Sequence, residues 1–317
     1  MKKVACVGIL VADVIVRPVN EYPDKGLLAR VDSITVHSGG NAMTAAVNLR
    51  KLGSESTLIG KVGRDMFGEF LVGCLKNEGV NTDGIFRDDE VQTSASVLML
   101  DEKTGERTIL HTTGANGTFG ISDIDFGIIE ENDIVFVTGA FLMDRFDGAQ
   151  TAEFLRRCKE MGKITALDVC WDAKGKWSEL LDPAMPYIDY FLPSIDEAKM
   201  LSREDEVEKM ADVFFDKGVG HVVIKCGSTG SYCRESRDAD GVMMPAFKIE
   251  NPVDTTGAGD SFCSGFLAAL SRNEDFLSCA ELGNAIGAFC VTKKGATSGT
   301  PTYDEAKKFI KERKEKC

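Results

Sequence analysis

No run of 18 apolar residues occurs among the 317, so no segment is long enough to cross a bilayer as a helix. The ten cysteines form no C-x-x-C pair, and the three histidines show no paired ligand spacing. A disulfide frame and a zinc site are therefore both unsupported. Cys6, Cys170, Cys226 and Cys290 sit in apolar runs and read as reduced, buried thiols of a cytoplasmic protein. Bases are the minority, 37 against 50 acids, for a formal net charge of −13. That sign argues against nucleic acid or an anionic membrane surface as a partner. No internal repeat, low-complexity tract or linker interrupts the chain. No G-x-x-x-x-G-K followed by Ser or Thr occurs, which removes the P-loop kinases. The opening MKKVACVGIL has the look of a leader, but the apolar stretch is short, contains Asp13 and lacks a small-residue cleavage site. It reads as a buried strand and a turn.

What is present is a core and a rhythm. Hydrophobic residues make up 43%, enough for a packed interior. Short β-branched runs at Lys3–Val7, STLIGKVG, and residues 133–139, 163–169, 187–193 and 221–227 read as strands. Helical patterns stand between them: NAMTAAVNLRKLG ending at Gly53, MFGEFLVGCLKNEG ending at Gly79, GAQTAEFLRRCKEMG and EDEVEKMADVFFDKG. Glycine after the last helical turn is a stop signal, because it takes up the left-handed conformation at low cost. Strands alternating with helices imply βαβ units and a mostly parallel sheet covered on both faces.

Two pieces break the alternation. Strands at about 11–17 and 28–36 have no helix between them, and 93–100 with 107–113 forms a hairpin around EKTGE. Both carry polar residues at alternate positions, as half-exposed strands do. Pattern alone leaves open an edge extension of the main sheet or a lid over a site. The whole of 1–317 reads as one domain with this appendage.

The stretch VDTTGAGDSF, residues 253–262, follows FKIENPV, which reads as the end of a strand. Phe262, Cys263, Phe266, Leu267 and Leu270 then form a helical apolar face. Gly257, Ala258 and Gly259 thus fall at a helix N-terminus, where free amides and the helix dipole favour an anion. Asp260 has two readings on spacing alone. It is either a dipole partner of the helix start or a general base.

DTTGAGDSF resembles the signature of ribokinase-like, PfkB-family carbohydrate kinases. A second stretch, SGGNAMTAAVNLRKLGSESTLIGKVGRDMFG at 38–68, resembles their other signature, and order, spacing and length match along essentially the whole chain. The resemblance implies a ribokinase-like α/β fold with a small β-sheet lid, and phosphoryl transfer from ATP to a sugar hydroxyl. It makes Asp260 the base and the amides of Gly257, Ala258 and Gly259 an anion hole. It assigns the sugar to Asp13, Gly39, Gly40 and Asn41, although Asn41 also suits a helix N-cap. It assigns the nucleotide to Lys225, Gly227, Ser228 and Gly230 in KCGSTG, a stretch that otherwise reads as a glycine turn. Asn284 is matched to an adenine contact, or else is an exposed helix asparagine. Glu197 is matched to Mg²⁺ held through water, although Ser194-Ile195-Asp196-Glu197 has Ser where relatives carry Asn, and S-x-x-E is also a capping box. A K⁺ site, where relatives have one, maps to Asp254, Thr256, Cys290, Gly295 and Gly299. The lid is commonly a dimer interface in the family, which implies a homodimer.

The acceptor is less determined. Val11 stands where ribokinase has asparagine, and GGN is shorter than the ribokinase loop. LDVCWDAKGKW lacks the arginine of the D-x-N-x-R pattern of several hexose kinases. Arg17, Arg30, Arg107 and His111 in the lid strands suit solvated faces or a charged substrate. Nucleoside kinases share both signatures and remain an alternative. A nucleotide-binding regulator without catalysis is a third reading, against which the retained Asp260 speaks.

Overall fold

A computed structural model of the chain describes residues 1–104 and 106–315. Gly105, in the EKTGE hairpin tip, and residues 316 and 317 lie outside that set. Thirteen strands follow in chain order: β1 Val4–Gly8, β2 Val11–Arg17, β3 Ser33–Gly39, β4 Ser56–Gly63, β5 Asn81–Asp88, β6 Ala95–Leu100 and β7 Arg107–Thr112. The second half adds β8 Ile134–Ala140, β9 Ile164–Val169, β10 Tyr190–Phe191, β11 His221–Lys225, β12 Gly230–Arg234 and β13 Val242–Pro245.

Nine strands form one sheet in the order β13-β12-β11-β10-β9-β8-β1-β4-β5. Its pairings are parallel from β5 through to β11, and β12 and β13 close the far edge antiparallel. β1 explains why a parallel sheet reads as continuous apolar sequence. Val4 and Cys6 enter one core and Ala5 and Val7 the other, all fully buried. The first core is roofed by helices Asn41–Lys51, Ala258–Ser271 and Phe276–Cys290. The second is roofed by Ala149–Glu160 and Val207–Asp216. Each fully buried Phe or Leu in these layers contributes about 1.5–3 kcal/mol.

The remaining strands form a separate sheet, β3-β2-β6-β7. One row crosses it: His37 pairs with Asp13, Asp13 with Ser96, and Ser96 with His111. Residues two apart share a face, so Arg17, Thr35 and Arg107 lie on the same side as that row. The other side is apolar, with Val14, Val16, Ile34, Val36, Val97 and Leu110. Asn116 pins the link from β1 to this sheet, accepting from Leu10 N at 3.2 Å and donating to Leu10 O at 2.8 Å.

Several elements differ from the sequence reading. The lid's β3 begins at Ser33, not near residue 28, because 28–31 bond to no strand and Asp32 adds only its N–H to Arg17 O at 3.1 Å. The run 187–193 keeps only Tyr190–Phe191 as strand, since a 3₁₀ turn occupies Met185–Tyr187. FKIENPV is not a strand. β13 ends at Pro245 and the segment after it wraps a cavity instead. β5, β12 and β13 were not anticipated.

Candidate active site

β1, β8, β9, β10 and β11 run parallel, so their carboxyl ends meet at one edge of the sheet, where ligands of open α/β sheets bind. A cavity of about 900 Å³ opens there. Asn41, Glu197, Lys225, Gly227, Ser228, Gly230, Gly257, Ala258, Gly259, Asp260 and Asn284 all line it. Asp13, Gly39 and Gly40 do not. They sit at the foot of the small sheet, where a Cβ on Gly39 would meet Asp13 Oδ2 at 2.2 Å.

The helix Ala258–Ser271 starts at Gly257, whose φ of 76° is left-handed and whose added Cβ would meet Ala296 Cβ at 2.2 Å. Only glycine satisfies both conditions. The Ala258 N–H closes a turn onto Thr255 O at 3.2 Å. Among the described residues, the amides of Gly257, Gly259 and Asp260 have no protein acceptor. Such free amides at a helix start attract an anion.

Asp260 projects from that first turn and accepts from Asn41 Nδ2 at 2.7 Å. Burial pushes its carboxyl above the usual range. The Asn41 bond and the Lys225 charge oppose this, while Glu197 adds to it. A carboxylate raised toward neutrality is a better proton acceptor than a solvated one. Asn41 is not an N-cap. Gly40 holds that position with φ 97°, no side chain caps the helix, and the Asn41 amide is turned into the site.

Residues that the sequence reading did not single out complete the floor. Asp168 at the end of β9 holds Lys225 Nζ with both carboxylate oxygens at 2.8 Å, the side chains being 3% and 12% exposed. Burial alone would drive the proton off Lys225, but Asp168 beside it holds its pKa above the ordinary lysine value. Burial likewise raises Asp168, against the pull of Lys225. The ammonium lies under the anion loop, 3.6 Å from where a Gly259 Cβ would be. Trp171, 55% exposed, stands on the cavity wall with its ring 5.0 Å from that of Trp177. A signal existed for Asp168, an acid ending a buried strand. Its partner Lys225 lies 57 residues away, and no local pattern links them.

Glu197 and Ser194 form a full capping box. Ser194 N donates to Glu197 Oε2 at 2.7 Å and Ser194 Oγ accepts from Glu197 N at 3.4 Å. Burial, then the charge of Asp168, raises Glu197. Asn284 is buried, not exposed, and its Nδ2 donates to Ser231 Oγ and Met244 O, both at 3.2 Å, tying its helix to the antiparallel edge. Gly227, Ser228 and Gly230 make the turn from β11 to β12.

Asp254 and Thr256 face a second cleft of about 780 Å³ whose opposite wall is Glu106, Arg107 and Thr108 of the small sheet. Burial raises Asp254, but N–H bonds from Gly295 and Thr256 and the charge of Arg107 bring it below the usual range. Asp13 is raised by burial, opposed by a Ser96 hydrogen bond and by His111 and His37. Arg17 and Arg107 share the face of Asp13, whereas Arg30 precedes β3.

The family model for pfkB carbohydrate kinases matches residues 1–303. A sugar kinase of Archaeoglobus fulgidus is 30% identical over 269 residues, 80% of this chain and 98% of that protein. A fructokinase of Vibrio alginolyticus is 28% identical, over 86% of this chain and 91% of its own. The crystal structure of a ribokinase from Thermotoga maritima superimposes with a TM-score of 0.83 at 26% identity, covering 98% of this chain and all of that one. The fold is ribokinase-like. With both signatures in place and the match spanning nearly the full length, the chain belongs to the pfkB family of carbohydrate kinases, phosphotransferases with an alcohol acceptor.

Proposed function

We propose that the chain is an ATP-dependent kinase that phosphorylates a monosaccharide hydroxyl, with Asp260 as the base. The observation that carries this is the first turn of the helix Ala258–Ser271. Free amides and a raised carboxylate stand side by side there, at the mouth of the large cavity. Asp260 takes the proton as the hydroxyl oxygen attacks the γ-phosphorus. The amides of Gly257 and Gly259 receive the charge that builds on the phosphoryl oxygens. Ala258 belongs to the same hole through its place in the turn.

Asp13 would grip two hydroxyls of the sugar as an acceptor, with Gly39, Gly40 and Asn41 along the same edge. The nucleotide would lie over Lys225, Gly227, Ser228 and Gly230, with the Asn284 carbonyl as its remaining free polar atom. The small sheet would act as a lid, excluding water from the transfer. Its apolar outer face, with Ile34 65% and Leu110 62% exposed, would pair with a second copy. We read the chain as one such domain, working among reduced cytoplasmic thiols; the nine described cysteines are all free.

Mg²⁺ fits this site. Asp168, Glu197, Glu250 and Asp260 line the cavity against two cations, Lys225 and Lys248, so carboxyl groups outnumber ammonium groups there before any phosphate arrives. Glu197 would hold the ion through water, one of its oxygens being occupied by Ser194 N–H. When bound, Mg²⁺ supplies charge neutralisation on the triphosphate. K⁺ fits poorly at Asp254, Thr256 and Cys290, and Gly295 and Gly299 could add only backbone carbonyls. Asp254 is taken by the Thr256 and Gly295 amides, and the Cys290 thiol points at Thr256 O. The reaction as proposed has no step that passes through K⁺.

The test is ADP release with Mg-ATP over a panel of pentoses, hexoses, sugar acids and nucleosides. Turnover is expected with a monosaccharide. Turnover confined to nucleosides would move the reading to a nucleoside kinase, and ATP binding with no turnover on any acceptor would leave a regulator.

A further inference from the structure

Three part-buried side chains from distant stretches form a chain across the site. Asn41 opens the helix after the Gly39–Gly40 turn, Cys170 follows β9, and Asp260 follows the anion loop. Cys170 S–H donates to Asn41 Oδ1 at 3.4 Å, and Asn41 Nδ2–H donates to Asp260 Oδ1 at 2.7 Å. Amide oxygen and nitrogen are told apart by their partners. Here the partners agree, because the flipped amide would set its oxygen against a carboxylate oxygen and its N–H₂ against a thiol proton.

Asp260 needs such a hold. It sits in the first helical turn, where its own free amides offer competing bonds to its carboxylate. The nearest cation offers no direct bond, since Lys225 is held by both oxygens of Asp168. Among the described residues Asn41 is the one side chain that donates to the Asp260 carboxylate, and Oδ2 accepts from none.

We propose that Asn41 is a positioning residue for the base. It fixes Asp260 through Oδ1 so that Oδ2 faces the acceptor, and the Cys170 thiol fixes the orientation of the Asn41 amide. This rests on Asp260 being the base. It assigns Asn41 a role separate from any contact it makes with the sugar. The same bond is the leading contribution that opposes the upward pull of burial on Asp260.

The test is the pH profile of kcat for Asn41→Leu and Asn41→Ala, for sugar phosphorylation and for the slow ATP hydrolysis without sugar. Loss of a hydrogen bond to a charged group predicts a kcat lowered ~10-fold at neutral pH in both reactions. It also predicts an acid limb moved up by about one pH unit. Cys170→Val is expected to move the limb the same way by less, and Cys170→Ser, whose hydroxyl donates as the thiol does, to restore it. An unmoved acid limb with unchanged sugar-free hydrolysis, and only the KM for the acceptor raised, would overturn the assignment and leave Asn41 a sugar contact. Retained turnover in Asp260→Asn would instead remove the base itself, so the two failures are told apart.

Discussion

The anion loop and the small sheet face each other across the second cleft, and they are built in opposite ways. The loop leads into a helix packed on every side, with Phe266 and Leu267 fully buried, and its charges are held in pairs and networks. Away from its base, where Ala12 and Ala95 pack on the main core, the small sheet has an apolar face with Ile34 and Leu110 exposed, and its polar face carries Asp13, two histidines and two arginines. One region is fixed before any ligand arrives. The other is open, with exposed surface on both sides. Groups proposed to act in proton transfer are on the first, as electrostatic preorganisation would require. Groups proposed to meet the acceptor are on the second, and mobile segments of this kind usually carry selectivity.

The contrast breaks most sharply at Asp260. Asp260→Asn keeps the shape and removes the proton acceptor, so kcat is expected to fall roughly 10²–10⁴-fold while nucleotide affinity barely changes. Calorimetric ATP binding beside steady-state rates checks both halves. A variant retaining more than about a tenth of wild-type kcat would remove Asp260 from the chemistry. The wild-type profile has a matching sign. The base must be ionised, and its pKa is raised, so activity is lost as pH falls through a value above that of a free aspartate.

Asp13 tests the other region. Asp13→Asn weakens the grip on the sugar hydroxyls, and a lost bond to a charged group corresponds to an acceptor KM raised roughly tenfold or more. The KM for ATP is expected to stay put, because Asp13 does not line the large cavity where the nucleotide is proposed to bind. Equal changes in both constants would show that the small sheet and the loop act as one body.

How much of this was legible in sequence follows the same division. The loop's place at a helix start was readable because glycines, an adjoining acid and an apolar helical face all fall within about twenty consecutive residues. The strands of the small sheet were readable from alternation, but β3 was set early, since Leu27 and Leu28 continue the apolar pattern into chain that pairs with nothing. What sequence did not contain were pairings across long separations. Asn41 meets Asp260 across 219 residues and Lys225 meets Asp168 across 57. Asn41 looked like a cap because a glycine in a left-handed turn can start a helix without one.

The outer face of the small sheet gives a smaller effect of a different kind. Ile34→Lys with Leu110→Lys places two charges on the face proposed to pair with a second copy. Sedimentation is expected to shift from dimer to monomer, with kcat changed only a few-fold if closure is a property of each lid alone. An unaltered dimer would place the contact elsewhere.

The smallest effect is expected where the fixed region resembles an ion site. A monovalent cation beside this loop would need oxygens free to turn toward it. In this chain Ala296 O already accepts from Ser261 Oγ at 3.2 Å and Asn48 Nδ2 at 3.4 Å. Thr297 O accepts the Lys51 ammonium at 2.9 Å, a cation supplied by the chain itself. The Asp254 carboxylate accepts from the Thr256 and Gly295 amides at 2.9 and 3.0 Å. Each of these oxygens has already committed a lone pair to a protein donor, so replacing K⁺ by tetramethylammonium at constant ionic strength is expected to change kcat by less than about twofold. Initial rates in the two salts decide it. A drop of about tenfold without K⁺ would mean that this loop exchanges its internal bonds for an ion during turnover. The fixed region would then be less fixed than its hydrogen bonds imply, and Lys51→Met should weaken the loop in K⁺-free buffer first.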